Sequence, residues 1–269
     1  MKRWENGSVP MDGTEMDYIA FGRGTEPLVM LPGLGDGLRT VRGMAATFAL
    51  QYRELGRRFR VYCFSRKRVL QPRSTTADFA DDLARAMKAL GISGATVLGV
   101  SQGGMIAQWL TLRHPKLVKR LILCVTLSRQ NAVLQGVVPR WIEWGEQGDF
   151  RRIFIDTAER YYTEAYLKRM RWMLPLAARL SEPEDPQRFL IQAQSCLTHD
   201  AFAELPRIAC PTLVLGGGLD AIVGPEAAGE IAGQIHGSAM HIWPDYGHAA
   251  YEEAKDFQGR IVAFADAHP

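Results

Sequence analysis

Ala95-Thr96-Val97-Leu98-Gly99-Val100-Ser101-Gln102-Gly103-Gly104-Met105-Ile106 is an apolar run that passes, through Gly-Val-Ser-Gln-Gly, into a segment with helical spacing. Ala95 to Val100 reads as a strand. The stretch from Gly103 through Met105, Ile106, Trp109 and Leu110 reads as a helix ended by His114-Pro115. Glycines on both sides of Ser101 permit a tight turn that lifts its hydroxyl off the backbone at the carboxyl edge of a sheet. With 26 glycines in 269 residues, Gly-x-Ser-x-Gly alone decides little, and the surrounding elements carry the reading.

A nucleophilic serine needs a base to take its proton and an acid to orient that base. Two later strand ends offer both. Pro211 to Leu215 reads as a buried strand, followed by Gly216-Gly217-Gly218-Leu219-Asp220. Ala239 to Trp243 reads as another, followed by the turn-rich loop Pro244-Asp245-Tyr246-Gly247-His248. Asp220 is the acid candidate and His248 the base candidate; Asp245 lies too close to His248 in sequence to replace Asp220. The non-catalytic alternatives are a turn serine at 101 and a capping aspartate at 220. His114, His199, His236, His241 and His268 stand beside no second catalytic residue type and take no role.

Ser101, Asp220 and His248 follow three strand ends in a chain order that resembles the α/β-hydrolase superfamily, in particular its small serine esterases with a helical cap. The resemblance spans most of the chain outside one insertion. It implies an α/β fold with a mostly parallel central sheet and helices on both faces. It also implies an oxyanion hole. The loop Leu31-Pro32-Gly33-Leu34-Gly35 follows the strand Leu28 to Met30, and in similar proteins the N–H after the first loop glycine, here Leu34, faces the oxyanion. The N–H of Gln102, next to the nucleophile, is the second donor. Many relatives carry histidine where this chain has Pro32, and an acidic, Gly-rich loop where Ser65-Arg66-Lys67-Arg68 follows the strand Val61 to Phe64.

The remaining pattern alternates strands with amphipathic helices, among them a helix from Thr76 to Leu90, a strand from Lys119 to Thr126 and a terminal helix from Ala249 to Ala267. Between Thr126 and Leu205 strand signals stop and helical spacing takes over, divided by Pro175, Pro183 and Pro186. The expected organisation is a core of residues 1–126 and 206–269 with a helical cap inserted at 127–205, where similar hydrolases carry their lids. Met105, Trp141, Trp144 and Tyr166 are the candidate substrate-binding side chains.

Composition narrows the function classes. No apolar stretch approaches the length that crosses a bilayer, and Met1 to Gly7 lacks the apolar core of a signal peptide, so a cytoplasmic location is expected. Thirty-two basic against 29 acidic side chains give +3, too small a bias for a nucleic-acid partner. The four cysteines show no redox or metal-ligand spacing, and no metal or other cofactor is expected. One basic cluster, Arg57, Arg58, Arg60, Arg66, Lys67, Arg68 and Arg73, reads either as a solvated rim or as an attractor for an anionic substrate. The expected chemistry is hydrolysis of a small-molecule carboxylic ester, or a related acyl substrate, through an acyl-enzyme. Thioester or carbon–carbon bond hydrolysis, acyl transfer and perhydrolysis stay open on the same residues. So does a small-molecule receptor with vestigial turnover. The sequence leaves the oligomeric state unknown.

Overall fold

The computed structural model describes residues 4–179 and 182–269. Its first described element is an antiparallel hairpin that the sequence reading did not anticipate. Strand β1 (Trp4–Met11) and strand β2 (Thr14–Phe21) pair from Trp4↔Phe21 to Met11↔Thr14. Asp12 and Gly13, at φ 25° and 78°, close the turn. Asp-Gly suits such a turn, since both positions need positive φ, but the residues that flank it alternate only weakly between apolar and polar.

From there strands and helices alternate. Strand β3 (Glu26–Leu31) leads through a short 3-10 turn, Leu34–Gly37, to helices α1 (Ala45–Gln51) and α2 (Arg53–Arg58). Strand β4 (Phe59–Lys67), helix α3 (Thr76–Ala89), strand β5 (Ala95–Val100), helix α4 (Gln102–Arg113) and strand β6 (Val118–Cys124) follow. The sheet order is β1-β2-β4-β3-β5-β6, continued by β7 (Thr212–Gly217) and β8 (Ala239–Trp243). Neighbours pair in parallel from β4 through β8, and only β2 runs against its neighbours.

Register brings several strand-end loops to one edge. Gly99 sits opposite Leu31 of β3 and Leu123 of β6, so β3, β5 and β6 end at one edge. The backbone leaves β3 toward β4 on one side and returns as β5 on the other. That reversal makes a crevice at the carboxyl ends, where open α/β sheets bind ligands. Alternating side chains face opposite cores: Val97 and Leu121 pack with α3 and α4, Leu98 and Ile122 with α1 and α2.

Between β6 and β7, every regular element among the described residues is helical: α5 (Ala132–Glu146), α6 (Phe150–Tyr161), α7 (Glu164–Met170), a 3-10 turn Arg171–Met173, α8 (Leu174–Ala178), α9 (Pro186–Leu197) and a 3-10 turn Phe202–Arg207. Met105, Leu127, Trp141, Phe189 and Ile222 join these helices to the sheet domain in one apolar cluster. Helix α10 (Ala227–Gln234) covers β7 and β8.

Boundaries differ from the sequence reading at three places, the first being that Ser65 to Lys67, expected after the strand Val61 to Phe64, continue it as part of β4. Strand β6 stops at Cys124 because Val125 takes φ 43°, a conformation that a β-branched residue rarely adopts. The terminal helix is two helices, α11 (Ala250–Glu253) and α12 (Phe257–Ala267), parted by extended Ala254 at φ −75°, ψ 116°. Asp256, at the start of the second, accepts Trp243 Nε1–H at 2.9 Å and anchors that new start to β8.

Candidate active site

Ser101 occupies the turn between β5 and α4 with φ 53° and ψ −121°. Its backbone is pinned on both sides: its N–H donates to Cys124 C=O at 2.9 Å, and its C=O accepts from Gly104 N–H at 2.8 Å and Thr126 Oγ1–H at 2.7 Å. The flanking glycines are steric requirements. A Cβ on Gly103 would lie 2.1 Å from Leu31 O, and one on Gly99 would lie 2.4 Å from Gly103 O. Strain at a residue so over-determined is characteristic of functional turns.

His248 Nδ1 lies 2.8 Å from Asp220 Oδ2, with both side chains buried. Asp220 Oδ1 accepts the N–H groups of Ile222 at 2.9 Å and Val223 at 3.0 Å, which fixes the carboxylate after β7. The His248 loop is braced by the end of α6. Ala249 N–H donates to Tyr161 C=O at 2.7 Å, and the Tyr161 ring packs on the imidazole with centroids 5.3 Å apart.

Ser101 and His248 border one cavity of about 400 Å³. Leu34, Val41, Met44, Phe48, Trp141 and Ile222 supply apolar wall; Arg39, Thr157, Tyr161, Tyr251 and Glu252 supply polar groups. Of the four sequence-derived pocket candidates, Trp141 lines this cavity. Met105 lies in the apolar cluster beneath the helices, Trp144 holds the Arg152 guanidinium 4.3 Å from its ring centre, and exposed Tyr166 stacks on Tyr162 at 4.5 Å. Tyr251 and Glu252 escaped the sequence reading as wall residues. They stand three and four positions after His248, in the short helix α11 that follows its loop. Desolvation pushes the Glu252 carboxyl above its usual pKa, offset in part by the Tyr162 hydroxyl donating at 2.8 Å. Burial likewise raises the Tyr161 and Tyr251 phenols, whose hydroxyls bond to one another.

Leu34 is the first residue of its 3-10 turn and Gln102 the first of α4. First-turn N–H groups have no partner within their own helix and are available to an external acceptor. The loop carrying Leu34 is close to the serine: a Cβ on Gly33 would be 3.7 Å from Ser101 Oγ.

The basic cluster is neither a uniformly solvated rim nor the wall of this cavity. Arg66 and Arg60 are buried, and Arg66 NH1 lies 3.8 Å from Asp36 Oδ2. Arg58 pairs with Glu26 at 3.1 Å, Lys67 with Asp82 at 2.8 Å and Arg68 with Asp17 at 2.6 Å. Ion pairs to neighbouring elements account for Arg58, Lys67 and Arg68, whereas the Arg66 guanidinium makes no hydrogen bond among the described residues and Arg57 and Arg73 are exposed. Among the described residues, no group of three or more His, Cys, Asp or Glu residues could hold a metal, and no helix is long and apolar enough to cross a membrane.

Comparison with known proteins agrees with this architecture. The chain is 26% identical over 258 residues to a putative carbamate hydrolase RutD of Caulobacter sp. (strain K31), covering 89% of this chain and 90% of that one. It is 23% identical over 275 residues to the serine hydrolase BPHL of Mus musculus, covering 96% and 84%. Among solved structures, the enol-lactonase from Burkholderia xenovorans LB400 superposes with a TM-score of 0.83 at 24% identity, over 97% of this chain and 100% of that one. A thermophilic esterase from Thermogutta terrifontis gives 0.78 at 23% identity, over 98% and 100%. The sequence model of the alpha/beta hydrolase fold matches residues 26–255, and the chain belongs to that family of hydrolases.

Proposed function

We propose that this hydrolase cleaves small carboxylic esters through an acyl-enzyme formed on Ser101. The observation that carries the reading is the shared cavity: a strained serine at a strand-to-helix turn and a histidine oriented by a buried aspartate border the same space. Ser101 Oγ attacks the carbonyl carbon while His248 Nε2 takes its proton, and Asp220 holds the imidazole with Nδ1–H toward the carboxylate. The N–H groups of Leu34 and Gln102 receive the oxyanion. On collapse His248 returns the proton to the leaving alcohol; water then repeats the sequence to release the acid. Residues 127–205 act as a cap whose Trp141 and Tyr161 roof the acyl pocket.

An apolar wall with a cavity of about 400 Å³ favours short to medium acyl groups. Carbamates and lactones, named for two similar proteins, react through the same tetrahedral chemistry and belong in the test. That test is fluorophosphonate labelling with peptide mapping, followed by a panel of aryl esters, thioesters, lactones and carbamates on wild type and Ser101→Ala. Labelling at Ser101 with ester turnover lost in the variant is expected. Stoichiometric labelling without turnover of any acyl substrate would instead mark a ligand-binding protein with a vestigial triad.

A further inference from the structure

Helix α9 touches the elements of both oxyanion donors, although it lies in the inserted helical segment. On one side it meets the 3-10 turn Leu34–Gly37. A Cβ on Gly37 would lie 2.9 Å from Phe189 Cα, so turn and helix backbones are in direct contact. The Arg188 guanidinium donates to both the backbone carbonyl oxygen and the Oδ2 of Asp36, two residues after Leu34. The same guanidinium reaches the end of β4, donating to Arg66 C=O and Lys67 C=O, each at 3.1 Å. Asp36 also accepts Arg66 N–H at 3.1 Å through Oδ2, and its side chain is fully enclosed.

On the other side α9 meets Gln102. The Gln102 side-chain amide donates to Gln192 C=O at 2.7 Å and lies 3.1 Å from Ser195 Oγ, which itself donates to Gln192 C=O at 2.7 Å. Arg188, Gln192 and Ser195 fall at i, i+4 and i+7, one face of the helix. That face therefore grips two segments that are distant in sequence but whose first N–H groups must converge on one oxygen. Arg188 and Gln192 are both buried, so these contacts form away from solvent.

We propose that α9 positions the oxyanion hole: Arg188 sets the turn bearing Leu34 N–H, and the Gln102 side chain, held by Gln192 and Ser195, sets the first turn of α4. This rests on the acyl-enzyme reading above. Arg188 and the side chains of Gln102 and Ser195 are thus positioning residues, distinct from the groups that meet substrate. Their loss acts on the transition state more than on the ground state, because only the tetrahedral species carries the charge that the two amides meet.

The experiment compares wild type, Arg188→Met, Gln102→Met and Ser195→Ala on p-nitrophenyl butyrate. It also measures inhibition by an aryl trifluoromethyl ketone, which forms a tetrahedral adduct on a serine, and thermal stability. For Arg188→Met and Gln102→Met, kcat is expected to fall about 10- to 100-fold, the scale of a roughly 1 Å misplacement, with KM changed less than about three-fold. The ketone's Ki should rise in proportion to the lost kcat. Phe264→Leu, a core change in α12 beside His268, should lower the melting temperature without moving kcat below its transition. Folded variants with unchanged kcat and Ki, or with a raised KM alone, would overturn the proposal. Should Arg188→Met fail to fold, Gln102→Met and Ser195→Ala decide by the same two ratios. Failure of the acyl-enzyme reading is read separately, as wild-type protein that neither labels at Ser101 nor binds the ketone.

Discussion

Asp220 holds His248 with one carboxylate oxygen and its own loop with the other: Oδ2 stands 2.8 Å from Nδ1, while Oδ1 takes the Ile222 and Val223 N–H groups at 2.9 and 3.0 Å. Asp220→Asn can keep the loop bonds through its remaining carbonyl oxygen, so the fold should survive. Its amide would face Nδ1 with a donor, driving the imidazole proton to Nε2, where it blocks acceptance of the serine proton. A fall in kcat of about 10³- to 10⁴-fold is expected, as in the serine-protease template. Steady-state kinetics with a parallel thermal melt check it; a loss below ten-fold would move the acid role elsewhere.

Ser101 is held at φ 53°, and a non-glycine residue kept in such a region costs on the order of 1–3 kcal/mol. Ser101→Ala removes the hydroxyl but keeps the Cβ, and with it the strain. Ser101→Gly removes both. Both variants should lose ester turnover, and the glycine variant should melt higher than the alanine variant by about 1 kcal/mol of stability. Equal melting temperatures would show that the surrounding hydrogen bonds, not the Cβ, set the local energetics.

Sequence made the parallel half of the sheet and the order of Ser101, Asp220 and His248 legible, because buried parallel strands are continuous apolar runs and the loops that follow them are marked by glycine. It was poorer where three-dimensional neighbours decide. The β1–β2 hairpin alternates weakly and its two-residue turn at Asp12-Gly13 is a short signal. Pocket walls depend on how the helices dock: Trp141 and Trp144 are three positions apart, yet only Trp141 is among the cavity wall residues. Arg66 reads as solvent-facing in a run of basic residues. Its burial beside Asp36 follows from a 3-10 turn 30 residues earlier, which no local pattern announces.

His199 is buried with Nδ1 2.9 Å from Thr76 Oγ1 and Nε2 3.4 Å from Gln108 Oε1. Burial lowers its pKa from 6.5 to about 3. The unfolded state therefore binds a proton between pH 6.5 and about 3 that the folded state refuses. Stability contributed by the neutral imidazole is full above pH 6.5 and falls as pH drops toward 3, by up to roughly 1.4 kcal/mol per pH unit. His199→Gln should be less stable at pH 7 but lose less stability between pH 6.5 and pH 4. Melting curves across that range test it, and parallel acid limbs for the two proteins would assign the acid sensitivity to other groups.

Trp141 is the wall residue on which the proposed acyl pocket can be tested. Its indole lines the cavity that Ser101 and His248 share, and Nε1–H donates to Asp156 at 2.8 Å, which fixes the ring against the wall. In wild type, kcat/KM on p-nitrophenyl esters should climb over the first few carbons, at up to about 0.8 kcal/mol per buried methylene, and then fall as the cavity fills. Trp141→Ala opens the wall, so the optimum should shift to acyl groups longer by about two to four carbons, since a wall side chain removed becomes ligand volume. The variant also gives up the indole contacts and the Asp156 bond, at a stability cost of about 3–5 kcal/mol, so the profile belongs at a temperature where it remains folded. Trp144→Ala is the matched comparison, because that ring holds Arg152 rather than lining the cavity, and its acyl-length profile should match wild type. A shifted optimum in Trp144→Ala, or none in Trp141→Ala, would mean that the acyl group occupies a different part of the molecule.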